Sequence, residues 1–424
     1  MRILTTCLLL LILLPTTTFA VFGDENHDTS VPLVREIILE GNHRTDSRLI
    51  LREMGVEIGQ PLSREAMNDV WIHLEDIGWF AFVDMELDDS ADEGAILRVY
   101  LEEDMTLAYG PLARFDRRHK YQLGGWLEET NFRGHGETLR LEVGALHARH
   151  ATARWSHPWL LGRQGLRLNL ELHGESSGFV YRPTHQKLYR GTVGLRWDLP
   201  RDFFLETSLT AGNTHFDDSY WWSNRNAGGA VLHEAGDFGR MATALAVGLD
   251  TRDNPWYPAH GVLARVGITR WSGDGFSTYR QGDAEVRAFV PLPKGPHVLA
   301  LRAWGRRVSG PAPLDNGLFL GGAETVRGHP YAGREGDEGY LLSAEYRIPL
   351  FLMPISPRGE SVGLGLHAFA DAGDTWFQEN AAQRGLQSWG AGAHLNLDTM
   401  QLRFEAAKAR DGDWSFQFMD HFNF

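Results

Sequence analysis

Apolar and polar residues alternate strictly in "LRLNLELH": Leu166, Leu168, Leu170 and Leu172 fall on one side of an extended chain, Arg167, Asn169, Glu171 and His173 on the other. "TLRLEVGAL" and "MQLRFEAAK" repeat the pattern. Sixteen such strands are expected. The first eight begin near Leu107, Tyr121, Glu137, Ala151, Leu166, Leu188, Phe203 and Ala242. The rest begin near Val262, Tyr279, Val298, Tyr340, Leu364, Ser388, Met400 and Trp414. Short connections such as "NFRGHG", "LPRD" and "LDT" alternate with long ones, notably 213–240 and 307–339. Short turns at one end, long loops at the other and an even strand count describe an antiparallel transmembrane β-barrel over 105–424. The last strand, "WSFQFMDHFNF", sets Trp414, Phe416, Phe418, Phe422 and Phe424 in one stripe, interrupted by Asp420. A water-facing sandwich would not carry it.

Upstream the period changes. Residues 33–104 read as one compact α+β unit in the order β-α-α-β-β. "REIILEG" is a strand closed by Gly41-Asn42, and Asp46 caps a helix in "DSRLILREM". Ser63 caps a second helix with Ala66, Val70, Leu74 and Ile77 on one face, and Gly78 ends it. "AFVDMELDD" and "AILRVYLEED" follow as strands around a turn at Glu93-Gly94.

The first twenty residues carry Arg2, the apolar run from Leu8 to Leu14 and the ending Thr18-Phe19-Ala20, the pattern of a secretory leader. The run is too short to cross a bilayer as a helix. Cys7 is the one cysteine and lies in this segment, so the exported chain is expected to have no disulfide, thiol nucleophile or thiolate metal site. Residues 21–32 are then a short linker. The net charge of −14 argues against nucleic acid as a partner. Fourteen tryptophans and forty-seven glycines suit a barrel with aromatic girdles.

Three stretches imitate chemistry. "GESSG", 174–178, matches a nucleophile elbow around Ser176, but no helix follows it as that motif requires. His147, His150 and His157 cluster with no metal-ligand spacing. "WWSNRN", 221–226, reads as an aromatic girdle running into a loop. No catalytic residue, metal or cofactor is expected, and the chain is not expected to be an enzyme.

The remaining motif is "GGAETVRGHPYAGREG", with five glycines in and around Val326-Arg327-Gly328-His329. With "EETNFRGHGETL", "DTRDNPWYPAHG" and "FADAG" at 369–373, it resembles the BamA and TamA superfamily of outer-membrane assembly and translocation barrels, which includes two-partner secretion transporters. The stretches "EGNHRTDSRLILREMGVEIGQPLS" and "LEDIGWFAFVDMEL" resemble a single POTRA domain of that family. The resemblance implies that the loop bearing "VRGH" folds back into the barrel and that Arg327 pairs with acids on the inner wall. Strand alternation turns Glu345 of "LLSAEYRI" and Phe369, Asp371 and Gly373 of "LHAFADAG" inward, so two carboxylates face the same lumen. Arg327, Gly328, Glu345 and Asp371 are therefore the expected latch, with Val326, His329, Phe369 and Gly373 packing around it. His329 stands where the family has Phe or Tyr. Phe422 and Phe424 are the expected insertion signal.

The resemblance further implies an outer membrane of the Gram-negative type, with the POTRA domain in the periplasm. Unfolded client proteins, outer-membrane lipids and accessory periplasmic proteins are the implied partners. The chain would insert or export its clients. The alternatives are a dedicated transporter for one partner and a passive or lipid-traffic pore. Two-partner transporters typically carry two POTRA domains and a plug helix, whereas 21–32 is acidic and short, which favours an assembly-type or divergent single-POTRA member.

Overall fold

The computed structural model describes residues 31–419 except 89–93, 117–119, 147, 180–181, 225–228, 234, 256, 275, 311, 314–315, 355–360, 378–384 and 398–399. The expected leader, Phe422 and Phe424 lie outside the described residues.

The N-terminal unit runs β1 (Val34–Glu40), α1 (Ser47–Met54), α2 (Arg64–Asp76), β2 (Phe80–Asp88) and β3 (Ala95–Glu103). Its sheet has the order β1-β3-β2, with β1 parallel and β2 antiparallel to β3. Asp46 caps α1 by accepting from Arg48 N, and Gly55 ends it at φ 63°. Ser63 Oγ accepts from Ala66 N at 3.1 Å to open α2. Val34, Ile50, Leu74, Leu97 and Val99 form the centre of the core. Leu74 is the buried residue of α2.

The second unit begins with β4 (Leu107–Asp116), β5 (Lys120–Phe132), β6 (Glu137–Leu146), β7 (Arg149–His157), β8 (Leu166–Phe179), β9 (Arg182–Asp198) and β10 (Phe203–Phe216). A hairpin of β11 (Tyr220–Asn224) and β12 (Gly229–His233) precedes β13 (Gly236–Asp250), β14 (Gly261–Gly273), β15 (Phe276–Pro291) and β16 (Val298–Ser309). Two short strands, β17 (Leu318–Leu320) and β18 (Arg334–Gly336), precede β19 (Glu338–Pro354). Last come β20 (Ser361–Trp376), β21 (Leu386–Leu397), β22 (Met400–Ala409) and β23 (Trp414–Met419).

Sixteen of these strands form one antiparallel sheet, each paired to the next in the chain, with the two hairpins set aside as local ladders. The expected long connections thus contain short strands. With five and three residues each, they are too brief for alternation to announce. The sheet curls so that its edge strands β4 and β23 approach. Among the described residues no hydrogen-bonded ladder joins them.

The sheet is inside-out for a water-soluble protein. Leu172, Leu209, Met241, Leu245 and Ile268 stand exposed on its outer side. Inner positions carry ion pairs instead, such as Arg196–Glu206, Arg265–Glu206 and Arg265–Asp283. That distribution suits a hydrocarbon exterior and a polar interior.

The two units are joined at the end of the sheet where β4 begins, here called proximal. Arg44 Nη2 donates to Thr106 Oγ1, Glu129 Oε1 and Asn131 O at 2.6, 2.8 and 2.9 Å. Asn131 Nδ2 donates to Thr45 Oγ1 at 2.9 Å, and Asp46 N to Gly134 O at 2.9 Å. Gly134 has no alternative: a Cβ there would stand 2.0 Å from Arg44 O. Trp159, between β7 and β8, completes the core of the N-terminal unit and donates Nε1 to Glu53.

Candidate functional site

The connection between β16 and β19 folds into the lumen from the distal end. Its hairpin β17–β18 packs along β20, and Arg327 reaches the wall with 1 % of its surface exposed. Asp371 of β20 receives Arg327 Nε and Nη2 at 2.8 and 2.9 Å and its backbone N–H at 3.1 Å. Arg327 Nη1 donates to Glu345 Oε2 of β19 at 2.9 Å and to Glu405 Oε1 of β22 at 3.2 Å. The guanidinium lies flat on Phe369, its carbon 3.5 Å from the ring centroid.

The surrounding motif residues make room for this approach. Val326 is fully buried, and a Cβ on Gly373 would stand 3.1 Å from Val326 Cγ2. Gly328 takes φ +84° and would place a Cβ 3.2 Å from Ala407 Cβ of β22. His329 Nε2 donates to Gln387 O of β21 at 3.0 Å, fastening the loop to that strand.

Strand alternation placed Glu345, Phe369 and Asp371 on the inner wall, and the structure gathers all three around Arg327. Other members were not picked out as part of the latch, although alternation turns Arg347 inward as well. Arg403 Nη2 donates to Glu345 and Glu405 at 2.5 and 2.8 Å, and Arg347 Nε to Glu345 at 3.0 Å. Glu405 also accepts from His367 Nε2 at 2.9 Å and from Gln417 Nε2 of β23 at 2.8 Å. The signal was in the same alternation: "MQLRFEAAK" sets Arg403 and Glu405 opposite Leu402 and Phe404. Three guanidinium groups thus meet three carboxylates, neutral in sum and cross-linking β19, β20, β22 and the loop. Glu345, His367 and Glu405 bring ligand atoms within 4.8 Å of one another. Their lone pairs are already taken by donors, a poor setting for a cation.

The set-aside stretches separate on inspection. Ser176 Oγ does meet His185 Nε2 at 2.8 Å, but β8 leads into β9, and among the described residues no carboxylate is ion-paired to His185. His150 and His157 lie on opposite faces of β7 and approach different acids, Glu142 at 2.9 Å and Glu137 at 3.6 Å. His147 lies outside the described residues.

Residues 32–104 match the family model described as surface antigen variable number repeat, the POTRA model, and residues 131–419 match the Omp85 superfamily domain. No curated protein matches the chain. Among solved structures, BamA from Haemophilus ducreyi lacking POTRA domains 1–3 superposes with a TM-score of 0.69 at 16% identity, covering 92% of this chain and 84% of that one. CdiB from Acinetobacter baumannii gives 0.61 at 13% identity, over 92% and 73% of the two chains. CdiB from Escherichia coli gives 0.56 at 13% identity, over 98% and 97%. These likenesses show the shared fold, and the domain match assigns the family: the chain belongs to the Omp85 superfamily, with one POTRA domain ahead of its sixteen-stranded sheet.

Proposed function

We propose that the protein is an outer-membrane assembly or translocation factor. Its POTRA domain stands in the periplasm and accepts an unfolded client. The sheet, spanning the outer membrane as a barrel, inserts or exports that client without covalent chemistry or a cofactor. The observation that carries this reading is the buried cluster of Arg327 with Asp371, Glu345 and Glu405, which ties a distal loop to the wall of an Omp85 sheet.

Two features supply a route for a client. In the order β1-β3-β2, the outer edge of β2 has no strand beside it among the described residues and can take an added strand. Among the described residues the seam between β4 and β23 has no ladder, so opening it breaks fewer of their bonds than opening any other strand pair of the sheet. Periplasmic accessory proteins and outer-membrane lipids are the remaining partners of this reading. A dedicated transporter for a single protein is the second reading, favoured by the likeness to CdiB over nearly the full length of both chains.

Comparing the outer membrane and culture medium of a deletion strain with its parent by quantitative proteomics tests both. Many barrel proteins lost from the membrane mean general assembly. One or a few lost from the membrane or medium mean a dedicated transporter. An unchanged proteome together with a measurable ion conductance would leave a passive pore.

A further inference from the structure

The Arg327 cluster continues beyond Glu405 toward the proximal end. His367 of β20 contacts Glu405 Oε1 through Nε2 at 2.9 Å, and its Nδ1 lies 3.1 Å from Nδ1 of His394 on β21. His394 Nε2 lies 3.0 Å from the hydroxyl of Tyr257. Tyr257 belongs to the connection 251–260 between β13 and β14, which enters the lumen from the proximal end while Arg327 enters from the distal one. Arg347 holds the same connection a second time. Its Nη1 donates to Pro258 O at 3.4 Å, its guanidinium carbon lies 5.4 Å from the Tyr257 ring centroid, and its Nε donates to Glu345 at 3.0 Å.

Donor and acceptor rules give this chain of contacts a direction. A carboxylate only accepts, so His367 Nε2 carries a proton. With a neutral ring, His367 Nδ1 accepts from His394 Nδ1, and His394 Nε2 accepts from the Tyr257 O–H. All four ring nitrogens are used, and the donors run one way, from Tyr257 to Glu405. Neutral rings fit the surroundings. Arg327, Arg347 and Arg403 already balance Glu345, Asp371 and Glu405, and an imidazolium would add an uncompensated buried charge. Two inward-facing glycines leave the space the rings occupy: a Cβ on Gly365 would stand 2.3 Å from His394 Nε2, and one on Gly392 2.9 Å from His367 Cε1.

We propose that Tyr257, His394 and His367 are positioning residues of the Arg327 latch. The proximal connection 251–260 orients Glu405 through them, so displacing that connection loosens the hold on Arg327. An unfolded chain arriving from the POTRA side meets this connection before it meets the latch. The inference rests on the proposed reading of the Arg327 cluster as the latch that ties the distal loop to the wall.

Cys7 is the one cysteine in the sequence, so the C7S, V326C protein carries a single thiol at a fully buried loop position. In the full-length protein folded into lipid vesicles, that thiol reacts with a maleimide as the loop leaves the wall. Tyr257→Phe and His394→Leu are expected to speed labelling about fivefold each, the size of one hydrogen bond. His394→Gln keeps one donor and one acceptor and restores most of the protection. Arg327→Lys speeds labelling independently of the relay. Labelling unmoved by Tyr257→Phe and His394→Leu, with Arg327→Lys still effective, overturns the relay and leaves the latch standing. Equal acceleration by His394→Leu and His394→Gln overturns it as well, by showing that packing alone matters. No response to any of these variants overturns the latch reading itself.

Discussion

Asp371 grips Arg327 from three directions, taking Nε and Nη2 on its two oxygens and the backbone N–H of the same residue on one of them. A lysine reproduces the charge but not the paired donors. Arg327→Ala leaves three buried carboxylates undercompensated and is expected to cost ~3–5 kcal/mol. Arg327→Lys should fall between it and the parent. Heat-dependent gel migration in rising urea reports the midpoint for each variant.

Gly328 turns the loop against β22 at φ +84°. Gly328→Val combines that backbone strain with a side chain aimed at Ala407, and a loss of ~1–3 kcal/mol is expected. Gly373→Val should act from the other side by expelling Val326. Both variants are expected to expose the 318–336 segment to a protease that spares the parent, read by mass spectrometry of the fragments.

Glu103 anchors the junction of the two units. Its carboxylate accepts from Arg44 N at 2.8 Å and from Thr45 N at 2.6 Å. Burial alone raises its pKa, but the hydrogen bonds from Thr45 and Arg44 outweigh it and hold the group below its ordinary value. A carboxyl depressed in the folded state stabilises above its unfolded pKa, about 4.3, and loses that contribution as pH falls through the folded value. Amide exchange at residues 44–46 and 131–136, corrected for intrinsic rates, should stay level from neutral pH down and rise below about pH 4. Arg44→Ala should raise it at neutral pH too, by an amount near 1 kcal/mol because the side chain is partly exposed.

Gln417 ties the last strand to the latch through Glu405. Gln417→Leu removes a hydrogen bond to a charged group, worth about 1.5–3 kcal/mol. Hydrogen exchange along β23 should accelerate while β13 and β14, far from the seam, keep their rates. Equal acceleration everywhere would mean that the whole sheet had been weakened instead.

Much of this architecture was legible because a barrel strand repeats every second residue. All sixteen sheet strands and the inward faces of Glu345 and Asp371 follow from that period. Arg327 itself could not be placed by period, since it sits in a loop. The family resemblance and two inward carboxylates directed attention to it. Glu405 and Arg403 were readable but lay on a strand with no motif to single them out. His367 and His394 lie on paired neighbouring strands and their inward faces follow from the period, but Tyr257 was not readable, because the connection 251–260 meets them only after the sheet has curled. The POTRA junction was hidden for the same reason: Arg44, in a bend, and Asn131, near the end of β5, carry no signal in the sequence until they meet.

The claim at the centre of this account is that the Arg327 cluster serves the handling of clients and not merely the shape of the barrel. Strains carrying the wild-type protein or Arg327→Ala at matched abundance in the outer membrane separate the two, by quantitative proteomics of membrane and medium. The account predicts that the mutant loses the same client proteins as the deletion strain, in whole or in part. A mutant proteome identical to wild type, with the protein present and folded, would contradict it.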